Sequence, residues 1–160
     1  MAEIESFDGK KNDLGCIGCD IESGKADFSG IIIKTKHFIL GQDYETPIPG
    51  FFIINSRRHV ASILDFSNEE MKEFTELLFR TRKAMKDVLG VREVAVFQNE
   101  VSGNSHFHAW ILPKAEWMGG KIEAKPLNSI LDYAKQNLRT KENLKKVEEA
   151  LKKMRKCMEK

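Results

Sequence analysis

The stretch NSHFHAWILPK, Asn104–Lys114, holds His106 and His108 one residue apart and sets Trp110 next along the same spacing. The whole chain has only four histidines, so half of them lie here. The intervening residues Phe107, Ala109, Ile111 and Leu112 are apolar or aromatic, which is strand material. Alternate side chains of an extended chain share a face, so His106, His108 and Trp110 project one way while Phe107, Ala109 and Ile111 project the other. Two imidazoles side by side among core residues make a metal site or a reactive site. The plainer alternative is a pair of satisfied polar residues at a sheet edge.

A second chemical pair is the CxxC of LGCIGCDIE, Cys16 and Cys19. Such a pair serves redox exchange, or supplies half of a zinc site, or arises by chance. Redox use expects a strand before the motif and a helix directly after it. CIGCDIESGKADFSG is poor helix material, which disfavours that use. Zinc asks for four soft or borderline donors in a tetrahedron. The chain offers Cys16, Cys19, His106 and, in NSRRHVASILDF, His59, which stands between a strand end and a helix start. Taken alone, His59 reads as a surface histidine beside two arginines.

These residues need elements to carry them. GIIIKT (Gly30–Thr35), HFILGQD (His37–Asp43) and FFIINS (Phe51–Ser56) read as three strands, and the prolines of YETPIPG mark the loop between the last two. Ser67 and Glu70 form a capping box. Behind it Met71, Phe74, Leu77, Leu78, Ala84, Met85 and Val88 recur at helical spacing until Gly90. EVAVFQN (Glu93–Asn99) and Ser105–Leu112 are the fourth and fifth strands. Beyond Pro113 come a loop, a short helix begun by Pro126, and a helix from Thr140 with Leu144, Val147, Leu151, Met154 and Met158 on one stripe. The first dozen residues read as frayed. The expectation is an α+β fold: an antiparallel sheet of about five strands with one main helix over residues 1–113, then a helical extension over 114–160. That extension packs on the same domain or on a second copy.

Bulk properties narrow the function classes. A length of 160 residues suits one domain with a proper core, and 41% hydrophobic with 31% charged residues is ordinary globular composition. A formal charge of +2 is too small for a nucleic-acid coat or a polybasic membrane anchor. The glutamates between the lysines of the last helix argue against a nucleic-acid role for it. No apolar run approaches the ~20 residues of a membrane span. MAEIESFDGKKN lacks the apolar stretch of a secretory signal, and three cysteines make no disulfide framework, so the cytoplasm is the expected address.

Together these segments resemble the histidine triad superfamily, over about Cys16 to Pro113. HFHAWILP is similar to its His-φ-His-φ-His-φ-φ strand, with Trp110 where the third histidine belongs. PGFFIINSRRHVASILDFSNEE is similar to its strand, Arg-His-Val and helix segment, CIGCDI to the CxxC of its zinc-containing members, and DYETPIPG to the loop whose leading Asp meets the ribose. The resemblance implies a structural zinc on Cys16, Cys19, His59 and His106, a closed set with no open position. It also implies that His108 attacks the α-phosphate of a nucleotide derivative and that Asp43 holds the ribose. The substrate class would be a dinucleoside polyphosphate or nucleoside phosphoramidate, and the assembly a homodimer.

The developing phosphate charge needs donors. Candidates are Gln98 and Asn99 at the end of the fourth strand, and Asn104 and Ser105 before the histidines. Trp110 offers one N–H donor, and would stack on substrate or simply pack. The loop before the histidines is shorter than the family's usual form. That departure and Trp110 motivate a rival reading, a zinc-stabilised nucleotide-binding module with little or no turnover.

Overall fold

A computed structural model describes residues 1–101, 105–119 and 126–159. Its centre is a five-stranded antiparallel sheet in the order β3-β4-β5-β7-β6. The strands are β3 (Ile31–Lys34), β4 (Phe38–Gln42), β5 (Phe52–Ser56), β6 (Val94–Gln98) and β7 (His108–Pro113). The fold is α+β, with each central strand within a residue or so of its expected span. The exception is β7, which starts at His108 and not at Ser105. His106 and Phe107 instead bridge two segments: Phe107 N–H donates to the Val60 carbonyl at 2.6 Å, and its own carbonyl accepts from Ser56 N–H at 3.3 Å.

The long helix α2 (Asn68–Leu89) begins on the capping box, with Ser67 Oγ accepting from Glu70 N–H and Glu70 Oε2 accepting from Ser67 N–H. It stops at Gly90, whose φ of 68° a side-chain-bearing residue rarely adopts. One sheet face buries Phe38, Leu40, Phe52, Ile54, Phe107, Ala109 and Ile111 under Leu77 and Met85 of α2. The C-terminal helix α4 (Lys141–Met158) closes the same core with Val147, Leu151, Met154 and Met158. Its lysines lie on the exposed face among glutamates. Arg155 of α4 also donates to the Ile31 and Ser29 carbonyls at the β3 edge.

The first residues are not frayed. They form a hairpin, β1 (Ala2–Glu5) with β2 (Lys11–Leu14). Its strands AEIE and KNDL are too short and polar to announce themselves by alternation. Tertiary contacts hold them: Phe7 is buried and its N–H donates to the Tyr44 carbonyl, and Arg139 donates to the Ser6 carbonyl. CxxC likewise opens a helix, the six-residue α1 (Ile17–Glu22), with Cys16 at its N-cap. Hairpin and α1 cover one end of the second sheet face through Leu14, Ile21, Ala26, Ile39 and Tyr44. Helix α3 (Leu127–Asn137) and the 3-10 turn at Glu116–Met118 cover the other end through Ile48, Phe51, Leu112, Met118, Ile130 and Ala134. Between these two clusters the middle of the face, over β5 and β7, stays open.

Candidate functional site

Four donors separated by up to 90 residues converge at the margin of that opening: Cys16, Cys19, His59 and His106, whose ligating atoms all lie within 4.8 Å of one another. The Sγ to Nδ1 separations are 3.2 to 3.5 Å across the four Cys–His pairs. In a tetrahedron with Zn–S near ~2.3 Å and Zn–N near ~2.05 Å, that separation is about 3.6 Å. The cradle therefore fits a structural zinc, held by two thiolates and two Nδ1 atoms. A four-donor protein shell leaves no position for substrate.

The surroundings prepare the donors. His106 Nε2–H donates to the Ser56 carbonyl at 2.7 Å, which turns the Nδ1 lone pair toward the thiols. Burial holds the His106 pKa below its usual range, against the Ser56 bond, so the ring is neutral as a ligand must be. Burial, then the neighbouring Cys16 thiol, pushes the Cys19 thiol up to about 11, so metal binding must displace its proton. Gly18 lies flat against the His106 ring, where a Cβ would come within 2.8 Å of three ring atoms.

The two arginines before His59 are clamps. Arg57 donates to Glu22 Oε1 at the end of α1 at 2.7 and 2.9 Å, tying the CxxC helix to β5. Arg58 grips Glu70 in bidentate fashion, at 2.6 and 2.8 Å, tying the same turn to α2. The Arg58 guanidinium is the main reason the Glu70 carboxyl is held down at about 2. His59 itself is exposed, so its position rests on these neighbours.

The redox use of CxxC is disfavoured on a different ground from helix propensity. A strand, β2, does precede the motif and a helix follows, but both thiols face imidazoles and neither is in a disulfide.

Beside the metal cradle lies a cleft of about 370 Å³. Its walls are Ile4, Ile17, Ile21, Tyr44 and Ile53 on the apolar side, and Asp43, Asn55, His106, His108 and Trp110 on the polar side. His108 Nδ1–H donates to the His106 carbonyl at 2.7 Å, which leaves Nε2 as the unprotonated nitrogen. Trp110 meets the His108 ring edge-on at a centroid distance of 4.0 Å and stacks on Phe97 at 5.0 Å. Its single N–H donates to Asp43 Oδ2 at 3.0 Å. Asp43 Oδ1 accepts from Thr46 N–H at 2.9 Å, and burial raises the Asp43 pKa against the bonds from Thr46 and Trp110.

The other expected donors are placed elsewhere. Gln98, Asn99 and Ser105 are not among the cleft walls. Gln98 donates to Glu100, and Asn99 is exposed. Glu100 carries that loop toward the 3-10 turn at Ile63–Asp65, where it accepts from Ser62 Oγ and Ile63 N–H, both at 2.8 Å. Asn104 lies outside the described residues. The sequence reading missed Ile4, Ile17, Tyr44 and Asn55. For Asn55 a signal was present, since alternation along FFIINS sets it beside Ile53 on one face.

No family model and no curated protein matches the chain. Solved structures do. A HIT-like protein involved in cell-cycle regulation from Bartonella henselae superposes with a TM-score of 0.66 at 19% identity, over 92% of this chain and 99% of that one. A hypothetical histidine triad nucleotide-binding protein from Sulfolobus tokodaii gives 0.63 at 17%, over 90% and 92%. A Zn-bound histidine triad family protein from Mycobacterium smegmatis gives 0.59 at 18%, over 88% and 95%. At such identities the likeness is one of architecture, and it extends over nearly the whole length of each: the chain has the histidine triad fold.

Proposed function

We propose that the protein is a nucleotide hydrolase or nucleotidyl transferase that works at an α-phosphate through His108. One observation carries this reading: an imidazole with its Nδ1–H tied to a backbone carbonyl presents Nε2 at a cleft that also holds a carboxylate and an apolar pocket. The isoleucines and Tyr44 suit a base, Asp43 suits the ribose hydroxyls, and His108 then stands at the phosphate. The Nε2 lone pair forms a P–N bond while the bond from phosphorus to the leaving group breaks, its electron pair departing with that group. Water then adds to phosphorus and gives up its proton, and the P–N bond breaks back to a neutral imidazole. Dinucleoside polyphosphates and nucleoside phosphoramidates are the substrate classes this chemistry suits.

Zinc on Cys16, Cys19, His59 and His106 ties the N-terminal segment, one wall of the cleft, to the sheet. The Zn-bound Mycobacterium smegmatis protein of the same fold supports that assignment. A reducing compartment such as the cytoplasm suits thiols kept for metal. Among the described residues no helix is long and apolar enough to cross a membrane. Phe79 on α2 and Val96 on the edge strand β6 are 69% and 51% exposed, a surface suited to a second copy.

Incubation with a diadenosine polyphosphate and chromatography should show a nucleoside monophosphate product, and a sample quenched in alkaline denaturant, where the P–N bond survives, should carry a nucleotidyl adduct on His108. His108→Ala should remove turnover by several powers of ten while leaving zinc content and nucleotide affinity nearly unchanged. Turnover at the native rate in that variant would place the chemistry elsewhere. The binding-module reading has its own support, because Trp110 abuts the His108 ring and already occupies Asp43. Tight nucleotide binding with no product in the same assay would favour it.

A further inference from the structure

We infer that Asn55 is a phosphate-binding residue of this cleft, in the place where Trp110 has no donor to give. The inference rests on the nucleotide reading above. Asn55 is 9% exposed. Among the described residues its side-chain amide makes no hydrogen bond, although it lines the cleft. The sheet register sets it between Ile39 of β4 and His108 of β7, and along its own strand the next residue on that face is Ile53. The amide is not sealed from solvent, so it is presented to the cleft, between two isoleucines, with no protein partner. Of its neighbours Ile39, Ile53 and His108, only the imidazole is polar, and no hydrogen bond joins the two.

A ligand supplies the missing partner. The amide is directly across the sheet from the imidazole that would meet phosphorus, so a phosphate oxygen at His108 is the acceptor in reach. Trp110 cannot serve there, because its only N–H donates to Asp43. The other expected donors, Gln98, Asn99 and Ser105, do not line the cleft. Asn55 Nδ2 is then the neutral donor for a non-bridging oxygen of the α-phosphate. Its Oδ1 remains free to accept from a ribose hydroxyl or a water.

The test uses Asn55→Leu and Asn55→Asp in the full chain, with adenosine and adenosine 5′-monophosphate as the two probes in titration calorimetry. A hydrogen bond to a charged oxygen corresponds to a change of about 10- to 100-fold in affinity. Asn55→Leu should bind the monophosphate that much more weakly and adenosine as the native protein does. Its melting temperature should hold or rise, because no protein hydrogen bond is lost and leucine adds apolar contact with the two isoleucines. Asn55→Asp, which sets a carboxylate against the phosphate, should lose the monophosphate more completely and keep adenosine.

Unchanged monophosphate affinity in Asn55→Leu overturns the inference. So does an equal loss of both probes, or a fall in melting temperature with zinc content intact, each of which marks a structural residue. A native protein that binds neither probe overturns the nucleotide reading itself, and this inference falls with it.

Discussion

Gly18→Ala is a one-carbon perturbation whose sign depends on whether the metal is present. In an ordinary helix the change stabilises by up to ~1 kcal/mol, because glycine loses more backbone freedom on folding. Here the added Cβ would lie 2.8 Å from Cγ, Cδ2 and Nδ1 of His106, where ordinary contact begins at 3.4 Å. The ring must therefore retreat by 3.4 minus 2.8, about 0.6 Å. Zinc–nitrogen bonds tolerate only about 0.2 Å of displacement, and the far side of the ring is held by the 2.7 Å bond to the Ser56 carbonyl. Misplacing one ligand in this way should weaken zinc about 10- to 100-fold, or about 1.4 to 2.7 kcal/mol. The assay is competition for zinc against a chromophoric chelator, paired with urea unfolding of zinc-loaded and chelator-stripped protein. Gly18→Ala should be less stable than native when loaded, and equal or more stable when stripped. An unchanged zinc affinity would refute the argument, as it would mean the ring has room that the geometry denies.

Four further outcomes follow from the same structure. Removing zinc with a chelator, or changing Cys16 and Cys19 together to serine, should lower the melting temperature and loosen the β1–β2 hairpin in hydrogen exchange; a full zinc complement in the double variant would refute the site. Glu70, held at about 2 by Arg58, contributes stability that is fully present above its unfolded pKa near ~4.3 and is lost as pH falls toward 2. Glu70→Gln should therefore cost about 2 kcal/mol at pH 7, discounted for the half-exposed Arg58, roughly half of that at pH 3, and little at pH 2; denaturation across that range checks it. Leu151→Ala, which empties a site in the main core, should cost about 2 to 5 kcal/mol by urea denaturation, and a change under 1 would mean α4 is not part of that core. Trp110→Phe keeps the stack on Phe97 and deletes the donor to Asp43. It should change nucleoside affinity more than melting temperature, since Asp43 keeps its bonds to the 44–46 turn.

The sequence by itself determined whatever depends on neighbours a few residues away. The spacing of FILGQ, FFIIN and VAVFQ names the strands, the Ser67–Glu70 box starts the long helix, and Gly90 stops it, because burial periodicity and capping are short-range physics. Cys16 and Cys19 stand as a local pair, while His59 and His106 joined them as a ligand set only through the resemblance to the histidine triad superfamily. Whether they meet was a matter for the tertiary structure, which brings Cys16 within 3.3 Å of a ring 90 residues away. Nothing local in the sequence pairs the arginines before His59 with Glu22 and Glu70, which lie on two different helices and stand opposite them. The N-terminal hairpin left no apolar alternation to read, since its support comes from Tyr44 and from Arg139, far along the chain. Trp110 and Asp43, 67 residues apart, share a hydrogen bond that no local pattern encodes. Asn55 stands opposite His108 only because burial of the whole sheet sets one register, and a slip of one residue would turn both to the other face.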